Sequence, residues 1–285
     1  MSKIKVLTDS GSDITLEQAK EFDIGFIPIC FTFDGETVLE DKYDMGTDEF
    51  YKRLRETGDI PKTTQITPGK FSEVFSSYAN DYDELIVFLI GSNTSGTFQN
   101  AFNAKAEVEE NCNLKIHLVD TQLLSMGYGY PVIRAAQMVK EGLSSSEIIS
   151  KCEAMMKSCY TLFAVETLDF LKKGGRIKTA TAIIGGMLDI RPILTVTDGL
   201  VHAIDKVKGE KKVFPKFLSL LEPKLAEMKN PKVILLNADV PEKIEKLAGM
   251  IKEKFSLEPT INSSVGVIIG AHAGPGVIGV IVMDD

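Results

Sequence analysis

Histidine is scarce in this chain, and a surplus of basic residues is absent. There are three histidines and four cysteines among 285 residues. The cysteines, Cys30, Cys112, Cys152 and Cys159, form no CxxC pair, which argues against a zinc site and a disulfide framework; reduced thiols in the cytoplasm are the expectation. Net charge is −8 and the pI about 5.1. That disfavours a nucleic-acid partner, since phosphate binding shows as a basic excess, although a local basic patch on an acidic body stays open. The N-terminus, MSKIKVLTDS, lacks the apolar core of a signal peptide. There is no GxxxxGKS/T, so no P-loop, no GxSxG elbow and no HExxH pair. The stretch Val265–Met283 has no charged residue and is long enough to span a membrane. It carries five glycines, a proline and His272, so it reads as strand, loop, strand, and no transmembrane segment is expected.

What is present suits a folded α/β protein. Hydrophobic residues make up 44% and charged residues 25%, and the length fits one large or two ordinary domains. KIKVLTDS reads as a strand running into a polar turn. Thr15 and Gln18 have capping-box spacing, as do Ser144 and Glu147. IGFIPICFTF reads as a second strand, and DGETVLEDKYDMGTDEF as an acidic surface segment with solvated carboxylates. Thr67 and Pro68 mark a helix start. ELIVFLI and LKIHLVD, each followed by a helical pattern, read as buried parallel strands. Beyond residue 160 the pattern changes. Two alternating runs joined by Asp198-Gly199 predict a hairpin, with helices near 211–228 and 241–254. The expected fold is therefore an N-terminal parallel-sheet α/β domain over 1–160 and a C-terminal α+β domain with antiparallel pairing over 161–285.

In such sheets ligands sit beyond the C-terminal ends of the strands. The loop GSNTSGT lies there and opens a helix. Its N–H groups and the hydroxyls of Ser92, Thr94, Ser95 and Thr97 suit a phosphate or a carboxylate; a capped loop with nothing bound fits equally. LDFLKKGGRIKT reads as a helix end with Lys172 and Lys173 on the dipole and Gly174 as the stop, or as an anion contact through Arg176; the two are compatible. His272 sits in the glycine loop GAHAGPGVIGV, either as a binding group or as a turn residue. A hydrolase using Ser95 and His272, or a phosphosugar-type enzyme using the anion loop, is the alternative reading.

Seven segments, VLTDSGSDI, TTQITPGKF, GSNTSGTFQNA, VDTQLLSMGYG, LDFLKKGGRI, RPILTVTDG and GAHAGPGVIGV, run in order along nearly the whole chain. As a set they resemble the DegV family of bacterial fatty-acid-binding proteins. The resemblance implies a carrier, not an enzyme by itself, that buries one long-chain fatty acid between two domains and needs no other cofactor. It also implies a fatty-acid kinase as partner, which phosphorylates the bound carboxylate for phospholipid synthesis. Carried over by position, Thr63, Ser95 and His272 would hold the carboxylate, with Thr64 and Gly96 beside them. Arg176 would serve the kinase or the phosphotransfer. Three positions depart from the family pattern: Thr94 replaces a leucine, Phe98 a tyrosine and Lys208 an arginine. Lysine keeps the charge of arginine but loses its bidentate fork, which bears on kinase coupling.

Such a ligand makes physical sense. Each buried methylene contributes about 0.8 kcal/mol, so some fifteen contribute roughly 12 kcal/mol before ordering costs, while the carboxylate must be hydrogen-bonded to be buried. Candidates for the tunnel wall are Phe26, Ile27, Ile29, Phe98, Met126 and Phe163. Ile183, Ile184, Met187, Leu188 and Ile268 are further ones.

Overall fold

β1 (Ile4–Asp9) is six buried residues in a row, as expected of a strand covered on both faces. It belongs to a computed structural model that describes residues 2–177 and 189–285. A 3-10 turn at Ser10–Ser12 leads to α1 (Leu16–Phe22), which starts on the predicted capping box: Thr15 Oγ1 accepts from Gln18 N, and the Gln18 side chain accepts from Thr15 N. The expected single strand IGFIPICFTF is in fact two, β2 (Gly25–Ile27) and β3 (Cys30–Thr32), in different sheets. Between them stands Pro28, which has no N–H to continue the ladder of β2.

β3 joins β4 (Leu39–Glu40) and β5 (Lys62–Thr64) in a small antiparallel sheet. The intervening acidic segment is not simply solvated: Asp41 is fully buried, and α2 (Thr47–Thr57) buries Phe50, Tyr51 and Leu54. α3 (Pro68–Ser77) begins at Thr67 and Pro68, as predicted. Then come β6 (Glu84–Leu89), α4 (Thr97–Asn111), β7 (Lys115–Asp120) and α5 (Met126–Lys140). β1, β2, β6 and β7 form a wholly parallel sheet in the order β2-β1-β6-β7.

α6 (Ser145–Ser158), opened by the predicted box at Ser144 and Glu147, runs into β8 (Tyr160–Ala164), the first strand of a second sheet. α7 (Asp169–Lys173) follows. Its C-cap Gly174 keeps a right-handed conformation, and the left-handed turn falls one residue later than expected, at Gly175 with φ 69°. β9 (Ile190–Thr197) and β10 (Leu200–Lys208) form the expected hairpin, with φ 50° at Asp198 and 71° at Gly199. α8 (Val213–Ala226), β11 (Pro231–Asn237), α9 (Pro241–Phe255), β12 (Ile261–Ser264), α10 (Val267–Ala273) and β13 (Ile278–Asp284) complete the chain. The second sheet has the order β10-β9-β8-β13-β11-β12, antiparallel throughout except for the β11–β12 pair. The result is a mixed α/β architecture, as the patterning predicts.

The stretch Val265–Met283 is helix, loop, strand rather than strand, loop, strand. A short apolar run cannot be assigned from periodicity alone. Here Gly270 lets α2 approach: a Cβ at that position would lie 2.4 Å from the Tyr51 hydroxyl, which donates to Val265 O at 2.8 Å. Among the described residues no helix is long and apolar enough to cross a membrane.

The second sheet is apolar on both faces. Leu162, Ala164, Leu235 and Val280 pack with α8 and α9, whereas Phe163, Leu194, Leu236 and Ile281 join the core of the first sheet, following the two-residue alternation of strands. Thr161 and Phe163 therefore share the face turned toward the parallel sheet.

Candidate functional site

A cavity of about 160 Å³ is lined from both sheets. The parallel sheet contributes the segments leaving its C-terminal edge: Ile29, Ile90, Thr94, Ser95, Leu124 and Ser125. The second sheet contributes Thr161, Phe163, Val196, Val201 and Leu236. α10 supplies Ile268, Ile269 and His272, and Thr63 and Thr64 of β5 enter together with Gln65 just beyond it. Of the wall candidates, Ile29, Phe163 and Ile268 line the cavity, while Phe26, Ile27, Phe98 and Met126 do not. Ile27 and Met126 are ordinary core, and Phe26 packs on Tyr43. Ile183, Ile184, Met187 and Leu188 lie outside the described residues.

The polar lining centres on one pair. Thr63 Oγ1 and His272 Nε2 are 3.0 Å apart, whereas His272 Nδ1 is buried without a partner. Gly174 makes room for the ring, since a Cβ there would come within 2.3 Å of Nδ1. Burial and then the charge of Arg176 push the imidazole pKa down to about 4, so His272 is neutral at pH 7. An orphaned ring N–H is costlier than an orphaned acceptor, so the favoured tautomer carries its proton on Nε2. Nε2–H then donates to Thr63 Oγ1, and the Thr63 O–H is free to donate to an anion. Positive charge comes from Arg176, which also lines the cavity and whose Nη1 donates to Gly174 O at 2.5 Å.

The other predicted residues are placed as follows. Ser95 lines the cavity at the start of α4, its Oγ 2.9 Å from Thr97 Oγ1. Thr64 lines it too, its hydroxyl 3.4 Å from Cys30 O. Gly96 is not part of the wall: the Gln65 side chain covers it, and a Cβ there would sit 2.5 Å from Gln65 Oε1. Lys208 is exposed at the end of β10, opposite Ile190, and does not reach the cavity.

Thr94 has a role of its own. Its hydroxyl donates to Gly199 O at the tip of the β9–β10 hairpin. Asn93 Nδ2 donates to Asp198 O at 3.0 Å, and Gly199 N to Gln122 O at 2.7 Å. Gly91, Gln122 and Gly199 meet backbone to backbone there, so closely that a Cβ on Gly91 would lie 3.0 Å from Gln122 Cα. Beneath the tip is a smaller hollow that shares Thr94, Leu124, Arg176 and Val201 with the main cavity.

Sequence reasoning missed Gln65, Ser125 and Thr161 as lining groups, and the buried acids behind Ser125. The Ser125 hydroxyl donates to Asp13 Oδ2, and Asp13 Oδ1 accepts from Gly266 N at 2.9 Å. Asp9 accepts from the Tyr128 hydroxyl at 2.7 Å and from Ile90 N at 2.8 Å. Burial raises Asp9 and Asp13 to about 6 and Asp41 to about 7, with Lys42 the nearby compensating cation. One available signal was the pair of acids in TDSGSD immediately after a buried strand.

The model of the DegV family, described as uncharacterised proteins of that family, matches residues 3–285. A DegV domain-containing protein of Caldanaerobacter subterraneus is 35% identical over 98% of both chains. A solved DegV family protein from Thermus thermophilus, described as fatty-acid-binding, superposes with a TM-score of 0.90 at 28% identity, covering 99% of this chain and 100% of the other. A stearic-acid-binding protein from Eubacterium ventriosum does so with a TM-score of 0.90 at 26% identity over 99% and 98%.

Proposed function

This chain belongs to the DegV family, and on that premise we propose that it binds one long-chain fatty acid between two lobes, residues 1–160 and 161–285. The observation that carries the reading is the Thr63–His272 pair, set with Ser95 and Arg176 in a cavity whose wall is otherwise largely apolar. The hydroxyls of Thr63 and Ser95 donate to the carboxylate, neutral His272 holds Thr63 in its donor orientation, and Arg176 balances the charge. The solved relatives described as binding fatty acid and stearic acid support the ligand class. The four cysteines are free thiols, which fits a cytoplasmic protein.

The finer reading is a carrier that presents its acid to a fatty-acid kinase. Arg176 lines both the cavity and the hollow under the hairpin tip, which supports a role in meeting a phosphate that arrives at the carboxylate. Exposed Lys208 is available to the partner's surface. The hydrolase alternative lacks support: among the described residues no carboxylate orients His272, whose Nδ1 has no partner there, and the Ser95 hydroxyl pairs with Thr97.

Native mass spectrometry of purified protein, followed by lipid extraction, tests the first reading. A co-purifying fatty acid, or micromolar or tighter oleate binding, is expected. Protein that is empty and indifferent to added oleate and palmitate overturns it. For the second, Arg176→Lys, which keeps the charge beside the cavity but loses the bidentate fork, is expected to lower kinase-dependent phosphorylation sharply while oleate stays bound.

A further inference from the structure

The cavity has a second polar point, remote from the Thr63–His272 pair. Resting on the fatty-acid reading above, we propose that the site prefers an acyl chain carrying a mid-chain hydroxyl, which Ser125 and Thr161 recognise.

Ser125 holds φ 55° and ψ −147°, a region almost reserved for glycine. A serine kept there is kept for its side chain. Its hydroxyl proton is committed to Asp13, and Asp13 is fixed from the other side by Gly266 N. An ionised Asp13 can only accept, so the oxygen that Ser125 shows to the cavity is an acceptor. Thr161 is the complement. It stands on the opposite wall, on the same face of β8 as Phe163. Its one side-chain partner among the described residues is Cys159 Sγ at 3.8 Å, a weak bond. Thr161 is thus a donor with little to donate to. An alcohol accepts and donates at once and pairs with both; a plain methylene at that point leaves Ser125 with only Asp13 and Thr161 with only the weak Cys159 contact.

The placement along the chain follows from α10. His272 lies at its C-terminal end, whereas the Asp13–Ser125 pair is anchored at Gly266, its N-cap. Six helical steps separate Gly266 from His272, about 9 Å along the axis. Ile268 and Ile269 occupy the wall between them. A carboxylate at Thr63 therefore leaves several methylenes against isoleucine before the second polar point.

The test is a titration of delipidated protein with stearate and with a stearate hydroxylated at mid-chain. Wild type is expected to bind the hydroxylated acid about tenfold more tightly, the worth of one net hydrogen bond. Thr161→Val is expected to reduce that preference to about twofold or less while stearate binds as before or better. Thr161→Val is the principal variant, because Ser125→Ala also strips Asp13 of a donor; Ser125→Ala, if folded, behaves the same way. Equal or weaker binding of the hydroxylated acid by wild type, or an undiminished preference in Thr161→Val, overturns the proposal. If stearate binds and the hydroxyl confers nothing, only this inference falls. If neither acid binds, the fatty-acid reading falls with it.

Discussion

Thr63 Oγ1 meets His272 Nε2 at 3.0 Å although 209 positions separate the two residues. β5 and α10 are brought together around the cavity so that a neutral imidazole aims a hydroxyl. Hydrogen bonds to charged groups contribute roughly 1.5–3 kcal/mol. Thr63→Val is therefore expected to weaken oleate binding about 10- to 100-fold, with Thr63→Ser close to wild type, as measured by calorimetric titration. Equal affinity in Thr63→Val would place the carboxylate elsewhere.

Gly174 is a subtler test of the same geometry. The methyl of Gly174→Ala would press on His272 Nδ1 from 2.3 Å, and the backbone there is right-handed, so alanine itself is unstrained. The expected outcome is a clear loss of oleate affinity together with a lowered thermal midpoint, since the buried ring must give way to the added methyl. A variant that binds normally would show that the ring can shift without consequence.

Asp41 predicts a pH effect of definite sign. Burial, against the nearby charge of Lys42, lifts its pKa from 3.8 to about 7. The folded state thus holds a proton that the unfolded state has released. The associated stability is full below the unfolded value and is lost as pH rises through the folded one. Asp41→Asn removes that loss. Its stability relative to wild type is expected to improve between pH 5 and pH 8, by up to about 3 kcal/mol, readable by urea denaturation at the two pH values. His272 acts in the opposite sense: with a folded pKa of about 4 against 6.5, it contributes stability that is lost as pH falls through that interval.

Thr94 links the GSNTSGT loop to the hairpin tip through Gly199 O. Thr94→Val is expected to speed the release of bound fatty acid several-fold, measured by displacement with a fluorescent analogue, while equilibrium affinity moves less. An unchanged release rate would mean that the acid leaves by another route.

Much of this was legible in the sequence because it was local. Capping boxes at Thr15 and Ser144, Pro68 at a helix start and Asp198-Gly199 in a hairpin each depend on a few adjacent residues. What was not legible depends on distant ones. Whether VIIGAHA is strand or helix turns on Tyr51, and whether Asp41 is solvated turns on the fold around Ser10 and Lys42. The strands of the small antiparallel sheet are too short to show alternation. At the site, Thr63, Ser95, Arg176 and His272 were identified through the family resemblance, and the structure brings all four to one cavity. Ser125 and Thr161 gave no such signal, since a lone hydroxyl in an apolar run is commonplace.

The contact between the hairpin tip and Gln122 has a practical corollary. The Gly199 amide is tied to Gln122 O across 2.7 Å, and it can trade its proton for deuterium only when the tip lifts away. Its exchange rate is therefore a clock for that lifting. A single backbone amide would then report how often the hairpin tip opens over the cavity beneath it, with no label on the protein at all.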